Sequence, residues 1–101
     1  MLRHIVWWTL ADQADGHSAA ENAVRVKEAS EALKAIPAAL NVEVSYDILP
    51  TSTVPARVVL QSAHKGEADL KEYAGDPVHL EFLKLIKSVS ASRQALDYVI
   101  E

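Results

Sequence analysis

The chain has 101 residues, of which 50% are hydrophobic and 24% are charged, so it fits one packed domain rather than a disordered chain. Its formal net charge of −4 at pH 7, with no basic patch, argues against a nucleic-acid partner, and the absence of cysteine excludes disulfides and thiolate catalysis. The N-terminal apolar run, residues 5–10, is far shorter than the roughly 20 residues of a membrane-spanning helix, so we expect a cytoplasmic protein without a membrane partner.

The first third of the chain predicts a strand followed by a helix. Residues 2–10 are rich in β-branched and aromatic side chains and predict a strand, whereas residues 12–17 predict a polar loop. Ser18 and Glu21 have the spacing of a capping box, in which each side chain binds the other residue's backbone amide. The helix that begins there must end before Pro37, and it carries an apolar stripe of Val26, Ala29, Leu33 and Ile36.

The rest of the chain predicts two strands, two helices and a final strand. Residues 41–49 alternate between apolar and polar side chains, which is typical of a half-buried strand, and residues 57–64 resume strand character. A short helix is predicted over residues 67–74, a longer one over residues 77–89, and the last strand over residues 93–101.

The longer of these two helices places a histidine among apolar side chains. Asp76 and Pro77 mark its start. An aspartate side chain caps the backbone amides of the first turn, and a proline at the first helical position lacks a backbone N–H that would be unpaired in any residue there. One face of the helix then carries His79, Phe82, Leu83, Ile86 and Ser90. This face should pack on the core, with Tyr73 just upstream, so the imidazole should lie against protein or a ligand rather than bulk water.

The element order β-α-β-β-α-α-β predicts a single α+β domain over residues 1–101 with a ferredoxin-like split βαβ fold. Its four-stranded antiparallel sheet should have the spatial order 4-1-3-2, with the helices on one face. The other face is then open, and apolar side chains there indicate a partner. Trp7 and Trp8 point to opposite faces, so one should join the core and the other the interface. We therefore expect a homodimer that buries sheet against sheet.

His4 and Asp97 should face each other, because the first and last strands are expected to be antiparallel neighbours. His4 shares its side of the first strand with the apolar residues Leu2, Val6 and Trp8. An acid on a mostly apolar strand face is costly to bury unless it is paired. We therefore expect Asp97 to pair with His4 and to orient its imidazole ring.

Three segments resemble the stress-responsive α/β-barrel (Dabb) domain family, and the resemblance covers essentially the whole chain. They are Arg-His-Ile-Val at residues 3–6, the segment from Tyr73 to His79, and Leu-Asp-Tyr-Val at residues 96–99. The resemblance implies ferredoxin-like domains that dimerise through their sheets into an α/β barrel. It is closer than the resemblance to antibiotic-biosynthesis-type monooxygenases, which share the fold.

The wider family includes olivetolic acid cyclase-like proteins, which close a linear polyketide by an aldol reaction. The residues of this chain that match such a site are His4, Tyr73, His79 and Asp97. By this resemblance His79 acts as the general base, Asp97 lies near it as the orienting acid, and Tyr73 holds the substrate carbonyl. Asp76 departs from the family pattern, which has a histidine there, so any role of that histidine would be lost.

The same residues also have structural interpretations. His79 could be a core histidine with both ring nitrogens bonded, and Tyr73 could simply close the break between the two helices. The pairing of His4 with Asp97 could do no more than pin two strands together.

The remaining polar residues offer little chemistry. His17 and His64 lie near predicted loops and are expected to be solvated. Only His79 with Asp76 approaches the spacing of metal ligands, and Asp76 is committed to helix capping, so no metal site is predicted.

Three functions therefore remain open. We favour a dimeric Dabb-type protein whose cavity binds a small apolar or aromatic molecule. The second is a cyclase or isomerase that acts next to a carbonyl with His79 as the base. No cofactor is predicted, since the chain has no nucleophile elbow, phosphate loop or dinucleotide fingerprint. The third is a structural or stress-related interaction protein whose site residues belong to the core.

Overall fold

Four strands form one antiparallel sheet in the computed structural model, which describes residues 1–101. β1 spans Leu2–Leu10, β2 spans Asn41–Ser45, β3 spans Val58–His64 and β4 spans Ser90–Val99. Their spatial order is β2-β3-β1-β4, and every neighbouring pair is antiparallel. The predicted α+β ferredoxin-like fold and its strand order are therefore confirmed.

Three α-helices pack on one face of this sheet. α1 spans Ala19–Ser30 and continues into a 3-10 helix over Glu31–Ala35, α2 spans Glu67–Gly75, and α3 spans Pro77–Val89. None of them combines the length and the apolar character needed to cross a membrane.

Side-chain caps confirm both helix starts that the sequence predicts. Ser18 Oγ accepts a hydrogen bond from the Glu21 amide at 3.2 Å, and the Glu21 carboxylate accepts one from the Ser18 amide at 2.8 Å. Asp76 Oδ1 accepts a hydrogen bond from the Val78 amide at 2.8 Å, with Pro77 at the start of the helix. Because Asp76 has an extended backbone conformation, this one residue separates α2 from α3.

The core lies between the helices and the inner face of the sheet. Trp8 of β1 is 3% exposed and packs edge-on against Phe82 of α3, with the ring centroids 6.3 Å apart. This contact holds α3 over β1, which is one of the two central strands. Trp7 lies on the opposite, open face, where its indole Nε1 donates a hydrogen bond to Gln94 at 2.8 Å.

The second strand is shorter than predicted, because β2 ends at Ser45 rather than at Leu49. Its last register pair joins Ser45 to Val59, close to the start of β3. Beyond Ser45 only Val58 of the partner strand remains, because β3 begins there. The side chains after Ser45 alternate, but their backbone has no strand to pair with.

The predicted loop at residues 12–17 contains a short hairpin, in which Gln13–Ala14 pair with His17–Ser18. Its turn residues, Asp15 and Gly16, have φ angles of 53° and 76°. An Asp-Gly pair favours such a two-residue turn, because glycine adopts positive φ without strain and aspartate tolerates it.

The last strand begins earlier than predicted, at Ser90 instead of residue 93, and ends at Val99. Near this start the register between β1 and β4 shifts at a bulge, so that Thr9 lies opposite Ser92 and Leu10 lies opposite Ser90. Since α3 ends at Val89, helix and strand are joined without a loop.

Candidate ligand-binding site

A cavity of about 590 Å³ lies between the inner face of the sheet and helices α2 and α3. Much of its wall is apolar and is formed by Val6, Trp8, Leu60, Phe82, Leu83 and Ile86. Three of the four site residues named from the sequence also line it: His4, Tyr73 and His79. Small-molecule sites usually have volumes of roughly 300–1,000 Å³, so this cavity has the size of a ligand site.

His79 reaches the cavity from the first turn of α3. Its Nδ1 lies 3.0 Å from the carbonyl oxygen of Ala74, near the end of α2. A carbonyl oxygen can only accept, so Nδ1 carries the hydrogen and Nε2 of the neutral ring keeps its lone pair. No protein group bonds to Nε2. The ring is therefore held in the tautomer whose free nitrogen can accept a proton.

The surroundings of His79 favour its neutral form. Burial lowers the pKa of His79 below its usual 6.5, and the charges of His4 and Arg93 lower it further. The hydrogen bond to Ala74 and the charge of Asp76 act in the opposite direction without reversing the shift. At neutral pH the ring is therefore in the form that can act as a base or as a hydrogen-bond acceptor.

We expect His79 to titrate with a midpoint below pH 6.5 in the folded protein. Because folding lowers the pKa, the ring contributes stability that is fully present above pH 6.5 and is lost as the pH falls towards the folded value. An NMR titration of the imidazole signals measures the midpoint, and His79→Asn identifies the signal. A midpoint at or above 6.5 would contradict the burial of this ring against the cavity.

Tyr73 lines the cavity from α2, and its hydroxyl is buried. The residue is 1% exposed, and its Oη has no hydrogen-bond partner. Burial raises the pKa of Tyr73 to about 12; the Ser62 hydroxyl opposes part of this rise, but its geometry falls short of a hydrogen bond. The phenol therefore stays protonated and remains available as a donor. The ring of Tyr73 lies between those of His79 and His64, with centroid separations of 4.7 and 4.8 Å.

His4 faces the cavity from the sheet, and its expected pairing with Asp97 is confirmed. The two residues are opposite each other in the register of β1 and β4, and His4 Nδ1 bonds to the Asp97 carboxylate. The side chain of His4 is 13% exposed and that of Asp97 is 47% exposed. Asp97 does not line the cavity itself, so it acts there only through the orientation of His4.

The structure does not bond Asp97 to His79, although the family resemblance implied that the two lie together. Asp97 is engaged by His4, and the carbonyl of Ala74 accepts the Nδ1 hydrogen of His79. The two histidines thus approach the cavity from the sheet and from a helix, and each ring has its own partner on Nδ1.

His64, which the sequence placed among the solvated residues, is instead fully buried at the end of β3. Its Nδ1 donates to the Ala38 carbonyl at 2.8 Å, and its Nε2 lies 2.8 Å from Ser62 Oγ. The alternation of β3 indicates this inward position, because His64 shares one side of the strand with Val58, Leu60 and Ser62. The side chain of His17, by contrast, is 42% exposed and lies 3.9 Å from the Glu21 carboxylate.

The cavity wall offers hydrogen bonds and apolar contacts to a bound molecule. Two imidazoles, one phenol and the side chains of Lys87, Ser90 and Arg93 supply the hydrogen-bonding groups within a mainly hydrophobic lining. No three histidine, aspartate or glutamate side chains in the chain cluster closely enough to hold a metal ion.

Several solved structures share this architecture. A dimeric protein of unknown function with a ferredoxin-like fold from Bacteroides fragilis is 27% identical, and the match covers 98% of this chain and 95% of that one with a TM-score of 0.78. A Dabb family protein from Mesorhizobium loti is 22% identical, with 99% and 96% covered and a TM-score of 0.77. A hydroxynitrile lyase from Passiflora edulis is 20% identical, with 99% and 93% covered and a TM-score of 0.78.

Family membership follows from the sequence. No curated protein matches the chain. The family model of the stress responsive A/B barrel domain, Dabb, matches residues 2–100, which is nearly the whole sequence. The chain therefore belongs to the Dabb family of stress responsive A/B barrel domains.

Proposed function

We propose that this Dabb protein binds a small molecule with an apolar or aromatic body in the cavity between its sheet and its helices. The observation that carries the proposal is the cavity itself, whose wall includes Tyr73, a residue with a buried hydroxyl that has no hydrogen-bond partner. Buried polar groups in folded proteins are nearly always bonded, because an unpaired one costs about 1–3 kcal/mol. A ligand oxygen that accepts from Tyr73 would remove this cost.

The composition of the wall supports the same proposal. Ligand sites are usually concave, mainly apolar, and equipped with a few convergent polar groups that fix orientation. Here His4, Tyr73 and His79 come from β1, α2 and α3, so three separate elements direct polar groups to one apolar cavity.

We also propose that the protein is a homodimer that buries the open face of its sheet. Leu96 and Tyr98 of β4 are 52% and 40% exposed on that face. The similar structure from Bacteroides fragilis is described as dimeric.

A second candidate function is proton abstraction next to a carbonyl, as in a cofactor-free cyclase or isomerase. It is favoured by the free Nε2 of a neutral His79 beside the protonated phenol of Tyr73. Nε2 would take a proton from the carbon next to the carbonyl, the C–H electron pair would form a C=C bond, and the π pair of the carbonyl would move to its oxygen. Tyr73 would then donate a hydrogen bond to the resulting enolate oxygen.

A screen of aromatic carbonyl compounds by thermal unfolding tests the binding proposal. A compound present at about 100 times its Kd should add about 2.7 kcal/mol to the free energy of unfolding, which raises Tm by several degrees. Tyr73→Phe should reduce this rise to less than about half. Without a compound, the same variant should be at least as stable as the wild type, because it removes an unpaired buried hydroxyl.

The matched control for this experiment is Tyr46→Phe, since Tyr46 is 38% exposed and lies outside the cavity wall. It should leave both the unfolding temperature and its rise with compound unchanged. A folded protein whose Tm responds to none of the compounds would favour the structural or interaction role instead.

A further inference from the structure

The charged residues that line the cavity are all of one sign. They are Lys87 and Arg93, and no aspartate or glutamate lines the wall, although the chain has 14 acidic and 10 basic residues. The local charge is therefore opposite to the net charge of −4. Because acidic residues outnumber basic residues in the chain, a cavity wall of the same composition would carry more acids than bases.

Neither cation is neutralised within the protein. The salt bridges of the chain join other pairs, such as Lys84 with Glu81 at 3.1 Å. Lys87 and Arg93 therefore have no carboxylate of this chain within salt-bridge distance. Lys87 and Arg93 are exposed, so they line the cavity where it meets solvent. The positive charge of Arg93 acts on His79 and contributes to the lowered pKa of that ring.

Both cations lie at the same end of the cavity. Lys87 is in the last turn of α3, and Arg93 is opposite Trp8 in the register of β4 with β1. Ser90, which links this helix to this strand, also lines the wall between them. His79 is eight residues before Lys87 on α3, which corresponds to roughly 12 Å along the helix axis. Lys87 is therefore about two helical turns from His79, whereas the charge of Arg93 reaches the His79 ring.

We propose that the cavity ligand is an organic acid, with its carboxylate at Lys87 and Arg93 and its apolar body directed towards Tyr73. This inference rests on the proposed function and adds the charge and the direction of the bound molecule. An arginine guanidinium matches a carboxylate with two parallel hydrogen bonds, and a lysine ammonium adds a point charge. The apolar wall between the two ends, which includes Phe82, Leu83 and Ile86, suits a hydrocarbon or aromatic body.

Calorimetric titration with two probes of the same length tests the inference. The probes are 6-phenylhexanoate and its neutral amide, 6-phenylhexanamide, titrated into the wild-type protein at pH 7.5. The acid should bind at least roughly tenfold more tightly than the amide, and the ratio should shrink as salt is added, because ions screen the charge pair. In Lys87→Gln/Arg93→Gln the ratio should fall to about one while the affinity for the amide is kept.

Lys71→Gln/Lys84→Gln is the matched control, since it removes two exposed cations outside the cavity wall and should keep the preference for the acid. Equal affinity of the wild type for both probes, weakened in both cases by Tyr73→Phe, would overturn the organic-acid inference and leave the proposed function standing. Binding of neither probe to the folded protein would overturn both. The comparison of two probes on the wild type does not depend on how any variant folds.

Discussion

Leu96→Glu should convert the protein from a dimer into a monomer. Leu96 lies on the open face of the sheet, opposite Ile5 in the register of β1 with β4. A symmetric dimer through this face would bury two copies of the new carboxylate without partners, and burying an unpaired charge is costly. We expect the Kd of dimerisation to rise by roughly 100-fold or more, since every 1.4 kcal/mol is a factor of ten.

Sedimentation equilibrium measures this change directly. The wild type should have twice the 11.0 kDa mass of the chain at micromolar concentration, and Leu96→Glu should have the mass of one chain. Leu80→Glu is the control, because Leu80 on α3 is 48% exposed, compared with 52% for Leu96, but lies on a helix instead of the open face. A wild-type protein that stays monomeric at all concentrations would show that this face has another role.

His79→Asn should abolish any proton exchange that the protein catalyses next to a carbonyl. The probe is phenylacetone in deuterium oxide, because its protons next to the carbonyl exchange slowly without a catalyst. If Nε2 of His79 removes such a proton, a deuteron from the solvent returns to the same carbon, and NMR follows the loss of the proton signal. General-base catalysis typically contributes 10²–10⁴-fold, so the variant should lose roughly that factor.

His17→Asn is the matched control for this experiment, since the side chain of His17 is 42% exposed and does not line the cavity. It should exchange phenylacetone at the wild-type rate. Equal rates in the wild type and in His79→Asn would exclude His79 as the base. The cavity would then be a binding site for which the chemistry of Nε2 is irrelevant.

Local chemistry explains why much of the fold could be predicted from the sequence. The caps at Ser18 and Asp76 depend on residues within three positions, so the sequence contains the whole interaction. The pairing of His4 with Asp97 is distant in sequence but follows from the strand order, because antiparallel neighbours place the start of one strand beside the end of the other. The predicted strand order therefore indicates this long-range pair, which no local sequence pattern contains.

The errors concern interactions that depend on how elements pack. The end of β2 at Ser45 is set by where β3 begins, and the alternation of side chains does not contain that information. The partner of His79 depends on the position of α2 relative to α3, so the Ala74 carbonyl could not be found from side-chain patterns. The burial of His64 depends on its even-numbered position on β3, and proximity to a loop does not distinguish an inward-facing strand end from a solvated residue.

The bond between His79 and the end of α2 has a consequence for the behaviour of the cavity in acid. Nδ1 of His79 carries a hydrogen in both the neutral and the protonated ring, so its bond to the Ala74 carbonyl is available in either state. Titration therefore changes the charge at Nε2 but leaves this link between the two helices intact. We expect protonation to change the charge of the His79 ring while the distance between the rings of His79 and Tyr73 is maintained. As the pH falls, the chemistry of the cavity should therefore change before its shape does.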